Sequence, residues 1–365
     1  MTTCNHANIS KVQVPSALLA LALALLCPSL ASASCLALGG GESLQNYCLL
    51  NAINGKKIDY RTITTIDTRL RRTGSSLGVN IPNSKPLDKF TASYSVRPVL
   101  RYETNINGGN SAAPLVLGNA VFKAAPELNR VSGTVAGLAA SFNGRTVSGD
   151  EKYITYRLNM GYALSTLTND KITSSHANIC SFNHLGKSWY LNGCADKYYS
   201  RKTITDSSAS TVKLMASHIF TGASKKHHEF KFGVKRLFTP SYMQDQLVLG
   251  IDTLHPGGVF TGLEATIGKP VPETLVTHIA VAGRVSFKIA GKPLNLSASM
   301  ATATGGLMLG FVRDEKRASI SASYPVGRNL TATIGYSKTD NTIDYFDSAT
   351  PTIAIQFSAI PLWGK

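Results

Sequence analysis

Beyond its first 33 residues the 365-residue sequence has no long apolar run, and over its whole length it is short of acids. The first absence excludes helical membrane spans, which need about 20 consecutive apolar residues. The second leaves 21 Asp and Glu against 37 Lys and Arg, a formal net charge of +16, so the cations outnumber their possible internal partners. Chemistry-bearing spacings are missing too. There is no phosphate-binding glycine loop, no zinc-ligand pattern and no EF-hand loop. Ser175-His176, Ser217-His218, His255 and His278 stand isolated, and no spacing sets up a nucleophile, a base and an orienting group. Neither an enzyme nor a cofactor is expected. Nucleic acid is not an expected partner, because the positive charge is spread over alternating segments behind an export signal instead of gathered in one patch. With 43% hydrophobic residues, the chain is also not of the disordered class.

What is present begins with "VPSALLALALALLCPSLASASC", which follows a single Lys11. A short apolar core of about ten residues leads to Ala31-Ser32-Ala33, a small-x-small pattern, so residues 1–33 are expected to be a cleaved secretory signal. A lipoprotein acylated at Cys35 needs a Leu about three residues upstream, whereas Leu30 lies five away. Loss of Lys11 leaves the remaining chain near +15.

Cysteine usage agrees with export. Cys4 and Cys27 leave with the signal, and Cys35, Cys48, Cys180 and Cys194 remain, which permits three connectivities. In "NICSFNHLGKSWYLNGC", Cys180 and Cys194 lie symmetrically about Lys187, with turn formers from Gly186 to Ser188 at the centre. A hairpin folded there opposes the two cysteines, and local pairing then joins Cys35 to Cys48. An oxidising compartment disfavours free thiols.

From residue 89 onward one pattern recurs. In "EKYITYRLNMGYALST" (151–166) the even positions run Ile154, Tyr156, Leu158, Met160, Tyr162, Leu164, while the odd ones include Thr155, Arg157, Asn159 and Ser165. Successive side chains of a strand point to opposite faces, so this is a strand with one oily and one wet face. The same alternation marks "KFTASYSVRPVLRYE" (89–103), "EFKFGVKRLF", "THIAVAGRVSFKI", "ASISASY", "NLTATIGYS" and "TIAIQFSAI". Turn signals separate such runs at 107–109, Asn143-Gly144, 255–258 and 291–293. Admitting the weaker runs "LVLGNAVF" and "LMLGFVR" gives about 14 to 16 strands, and no amphipathic helix is evident after about residue 52.

Consecutive segments of about ten alternating residues are the pattern of a transmembrane antiparallel β-barrel, whose closure pairs every backbone group in lipid. A soluble β-sandwich alternates as well, but its strands usually run five or six residues. The runs at 89–103, 151–166 and 275–289 are two to three times that length. Aromatics near the ends of the oily faces, Phe90, Tyr102, Tyr156, Tyr162, Tyr324 and Tyr336, sit where interfacial girdles belong.

In general architecture, residues 89–365 resemble bacterial outer-membrane β-barrel proteins. "RASISASYPVGRNLTATIGYS" is similar to a porin-type hairpin with a tight periplasmic turn. Barrels of that kind commonly end on an aromatic residue read by the assembly machinery, whereas this chain continues past Phe357 with "SAIPLWGK". The resemblance implies outer-membrane lipid and that machinery as partners.

If the oily parity faces lipid, the other faces the lumen, and it carries Arg97, Arg101, Arg157, Lys213, Lys231, Lys235, Arg284 and Lys288. Against them stand Glu103, Asp252 and Glu264, with Glu151 at a strand edge. Positions 97 and 101, 231 and 235, and 284 and 288 lie four apart on one face, about 13 Å along a strand. Such ladders lower the barrier to an anion. The contrary expectation is that they pair with acids and only fill the interior. "SKKHH" (224–228), read as a loop, suits either solvent or lipid phosphates and polyanions.

Residues 34–88 read as a periplasmic extension or a plug, with a short helix in "GESLQNYCLLNAING" and a basic cluster at Arg69, Arg71 and Arg72 that could meet a periplasmic partner or solvent. The leading functional expectation is passage or export of small anionic or polyanionic solutes. The alternative is a non-conducting surface or assembly protein whose barrel anchors loops or a periplasmic partner.

Overall fold

In the computed structural model, residues 44, 47 and 90–363 are described, except 124, 150–151, 223–225, 328–329 and 358–359. The leader, the Cys35–Cys48 pairing, Arg69, Arg71, Arg72 and Glu151 lie outside the described residues.

The chain enters with β1 (Phe90–Glu103). A long excursion, 104–132, carries the small hairpin β2 (Leu115–Leu117) and β3 (Ala120–Phe122). There follow β4 (Gly133–Gly149), β5 (Lys152–Ser165), β6 (Lys171–Gly186), β7 (Trp189–Arg201), β8 (Asp206–Thr221), β9 (His227–Phe238) and β10 (Met243–Leu254). The remainder is β11 (Phe260–Gly268), β12 (Val276–Ile289), β13 (Lys292–Met308), β14 (Phe311–Pro325), β15 (Leu330–Asn341), β16 (Ser348–Phe357) and β17 (Ile360–Trp363). From β4 to β16 each strand pairs antiparallel with the next. β1 closes the ring, joining β4 on one side and both β16 and β17 on the other.

β16 and β17 lie end to end along β1, through Val99 opposite Gln356 and Tyr94 opposite Trp363. They form one stave, so the sheet is a closed barrel of 14 strands. The segment after Phe357 thus returns to the wall and completes the last stave. Closure satisfies the backbone without leaving an edge to aggregate.

Four expectations from sequence change here. "LVLGNAVF" forms β2 and β3, a separate hairpin whose three-residue strands are too short to cross lipid. "LMLGFVR" is the tip joining β13 to β14 and adds no stave. Asn143-Gly144 lies inside β4 and makes no turn, because Asn143 accepts a hydrogen bond from Arg157 Nε (3.2 Å) while Gly144 lies beneath the Phe142 ring and close to that of Tyr156. His227 and His228, expected in a loop, open β9, where their Nδ1 atoms meet Thr221 Oγ1 (3.0 Å) and Thr253 Oγ1 (2.9 Å).

The two faces follow sequence parity. In β5, Leu158 and Met160 are 39% and 56% exposed, whereas Tyr153 on the opposite face is 2% exposed. Around the barrel the outer face carries Leu138, Val212, Leu214, Phe230, Val234, Leu263, Ile334 and Ile353, all exposed. Removing such a side chain from water is worth about 1.5–3 kcal/mol, so this belt is stable only against lipid. β5 spans about 48 Å at ~3.4 Å per residue, and a tilt of about 40° leaves roughly 36 Å of height for a ~25 Å apolar band. A closed barrel with oil outside and polar groups within belongs in an outer membrane. No helix among the described residues is long and apolar enough to cross one.

Candidate functional site

The inner wall is the candidate site, and neighbouring staves set its geometry. The hairpin from β6 to β7 turns at Lys187 and Ser188, both with positive φ (47° and 68°), the primed-turn geometry that matches strand twist. Register then places Cys180 opposite Cys194, with Cα atoms 4.1 Å apart and a disulfide between them, as the spacing predicts.

Asp252 is the centre of the densest charge cluster. Its carboxylate is 3% exposed and accepts hydrogen bonds from Lys231 Nζ (2.5 Å) on β9 and Arg284 Nη2 (2.7 Å) on β12. Lys231 also stands 3.7 Å from Glu229, itself buried. β11 lies between Asp252 and Arg284, and its Gly262 is in register with both. A Cβ at Gly262 would come within 2.6 Å of Asp252 Oδ1 and 2.7 Å of Arg284 Nε, so the missing side chain is what lets the bridge cross a stave.

The eight sequence-predicted cations divide. Arg101 meets Glu103 (3.4 Å), Lys213 meets Glu264 (3.6 Å), and Lys231 and Arg284 share Asp252. Arg157 has the neutral Asn143 as its partner. Arg97, Lys235 and Lys288 make no ion pair among the described residues, although Lys235 sits in register with Lys213. Each predicted ladder therefore has one neutralised rung and one without a carboxylate contact. Arg97 and Arg101 border a cavity of about 200 Å³ whose lining includes Asn159, His176, Tyr198 and Gln356.

Sequence reading missed several members of this wall. Asp196 accepts from Asn178 (2.6 Å) and Thr211 (3.2 Å) and lies 3.3 Å from His176. Glu315 is held by Arg313 (3.2 Å) and Arg317. Arg145 is buried two residues along β4 from Asn143, over the Tyr153 ring at 6.0 Å. Its signal was parity with Asn143, masked by the Gly and Ala of "GTVAGLAASFNGRTVSG". The arc from β13 to β15 is different in character, with hydroxyl pairs Ser297–Ser321 (2.7 Å) and Ser299–Ser319 (2.8 Å), and Ser95–Ser141 (2.7 Å) continues it on β1 and β4.

Chain from elsewhere reaches both ends of the bore. At the end that bears the longest excursion, Ile106 is fully buried with Val135, Ala163 and Ile172. Asn107 pins the neck of that loop, accepting from Gly109 N (3.1 Å) and Val131 N (2.9 Å) and donating to Asn129 O (2.7 Å). The loop then bonds the turn between β7 and β8, through Ile204 N to Asn107 O (2.8 Å) and Lys202 Nζ to Asn105 O (2.5 Å). Its hairpin packs Leu115 and Leu117 against Ile343, Met308, Tyr345 and Phe346 at the far side of β1. At the opposite end, which bears Phe90 and Trp363, Leu44 and Tyr47 are helical and lie against the start or end of β7 to β11. In the turn there, burial holds the His255 imidazole below its ordinary pKa, helped by Lys226 and His228, and Nε2 lies 3.0 Å from Thr261 Oγ1.

No family model matches the sequence, and no curated protein does. Among solved structures, the chain is similar to Pseudomonas putida OprB at 7% identity, covering 74% of this chain and 94% of that one with a TM-score of 0.42. Pseudomonas aeruginosa OpdK, solved with vanillate, matches at 6% identity over 75% and 99% of the two chains with a TM-score of 0.41. A BenF-like porin from Pseudomonas fluorescens matches at 7% identity over 75% and 99%, with a TM-score of 0.39.

Proposed function

We propose that this barrel is an outer-membrane channel for small anionic solutes, exported by a leader at 1–33 and oriented with its chain ends in the periplasm. The observation that carries the reading is the charge left over on the inner face. With Glu103, Asp252, Glu264 and Glu315 each taken by a cation, and Asp196 held by Asn178, Thr211 and His176, Arg97, Lys235 and Lys288 have no carboxylate contact among the described residues, and Arg157 has only Asn143. A guanidinium or ammonium on the wall of a narrow aqueous bore lowers the barrier for anions and raises it for cations. The hydroxyls of Ser297, Ser299, Ser319 and Ser321 on another arc offer neutral hydrogen bonds to the rest of a solute without trapping its charge. Arg97, Arg101, His176 and Tyr198 around their cavity supply cationic and aromatic contacts to an acid passing that level.

The test is the reversal potential of the refolded, full-length protein in a planar bilayer under a salt gradient. Anion preference is expected, and replacing Arg97, Arg157, Lys235 and Lys288 together by Gln should bring the permeability ratio to near unity or reverse it. Cation preference in the unsubstituted protein removes the proposal. The second reading, a non-conducting anchor, is favoured by the chain segments at both mouths, and absence of current in every variant would establish it.

A further inference from the structure

On the outer wall two rows of side chains meet near the turn from β9 to β10, at the end of the barrel opposite Phe90 and Trp363. Leu214, Val234, Leu247 and Ile267 stand in register across β8 to β11 and are all exposed. Two residues nearer that turn, the same faces carry Val212, Arg236, Asp245 and Lys269, whose backbone N–H donates to Asp245 O (2.8 Å). These rows line a groove of about 780 Å³, within the ~300–1,000 Å³ typical of ligand sites. Hydrocarbon alone satisfies the first row, but the second needs a polar headgroup. Arg236 gives Nε and Nη2 to Asp245 (2.5 and 2.9 Å), so one edge of the guanidinium is fixed and Nη1 is left over from the pair. Lys269 is exposed and makes no ion pair among the described residues.

The positive excess continues on β7, where Lys197 and Arg201 share the outward parity at this end and Asp206 is held by Arg201 (3.7 Å) and Tyr199 (3.2 Å). At the opposite end of the same staves the outward side chains Trp189, His218, Phe220 and His228 form a run of rings with centroids 4.7 to 6.2 Å apart. Cations at one margin of the apolar band match an anionic leaflet, and rings at the other match an interfacial girdle. We infer that the groove binds a phosphorylated glycolipid of the outer leaflet, with its phosphate between Arg236 and Lys269 and an acyl chain along Leu214, Val234, Leu247 and Ile267. The inference rests on the proposed orientation, which puts the turn at 239–242 on the cell surface. A guanidinium anchored at one edge presents its other edge to a second oxyanion, and phosphate fits that fork. Asp245 acts here as a positioning residue, because it aims Arg236 while Lys269 supplies the remaining charge.

The test titrates the refolded, full-length protein in detergent with bisphosphorylated lipid A and follows the adducts by native mass spectrometry, with barrel assembly of each variant verified by heat-dependent gel mobility. One lipid should bind ahead of any others. Removing its phosphates, or replacing Arg236 and Lys269 together by Gln, should weaken that binding about tenfold or more. Lys316→Gln with Lys338→Gln, on the outward parity of β14 and β15, should leave it unchanged. Equal loss in both double variants, or loss in neither, overturns the site and leaves the channel reading intact. Phosphatidylglycerol binding as tightly through Arg236 and Lys269 overturns the glycolipid assignment. The leaflet is checked separately by an epitope inserted between Pro240 and Ser241, which an antibody should reach on intact cells. Access only after the outer membrane is permeabilised overturns the orientation on which the inference rests.

Discussion

Asp252 shows how much a single residue can organise in a barrel wall. One nearly buried carboxylate serves Lys231 and Arg284 from staves on either side, and Gly262 makes the reach possible by having no side chain. A buried charge deprived of its partner is costly, and the cost shrinks for a cation that keeps contact with water, as half-exposed Arg284 does. Gly262→Ala should therefore cost about 1–3 kcal/mol by displacing one side of the bridge, with strand content unchanged. Chemical denaturation of the refolded protein in detergent, followed by circular dichroism, measures it. An unshifted midpoint would mean the bridge is not stabilising. Sequence parity had placed Lys231, Asp252 and Arg284 on one face. It had no means of joining them, because Asp252 is 21 residues from Lys231 and 32 from Arg284, and only register brings them together.

At the level of elements, the hairpin of β6 and β7 was the most legible part of the chain. Its centre at Lys187, its opposed cysteines and its turn formers all follow from local spacing, and the register pairs Cys180 with Cys194. Breaking this bond by Cys180→Ser with Cys194→Ser should destabilise the barrel by up to about 3 kcal/mol, the chain-entropy value for a loop of this length. The figure is an upper bound, since the hairpin already keeps the ends close. Reducing and nonreducing gels check the bond, and thermal unfolding with and without reductant checks its worth. Identical mobility and four labelled thiols would remove it. Less legible were the short elements. The run at 115–122 has the composition of a stave, but its six paired residues form a surface hairpin held by Ile343 and Phe346, contacts made across a gap of more than two hundred residues.

For the whole molecule the governing fact is closure. Fourteen staves leave no free edge, so the wall stands in lipid as one unit and its two faces meet two solvents. Spin labels at Leu158 and Arg157, adjacent in β5, should report opposite environments after reconstitution in liposomes. Oxygen, which concentrates in hydrocarbon, should reach position 158 better, and a water-soluble nickel complex should reach 157 better. Equal accessibility of the two probes at both sites would sink the assignment of faces on which the channel depends.

By itself the sequence determined most of the staves and which side of each is oily, because a pleated chain alternates its side chains every residue and that period is written locally. The hairpin disulfide was legible for a similar reason, since its spacing is local, and the excess of positive charge is a matter of composition. The tertiary structure alone decided that there are 14 staves, which cations keep a carboxylate and which do not, and that Leu44 packs on an apolar arc drawn from β7, β8, β10 and β11. Those outcomes depend on register between strands and on closure of the ring, which no local period encodes.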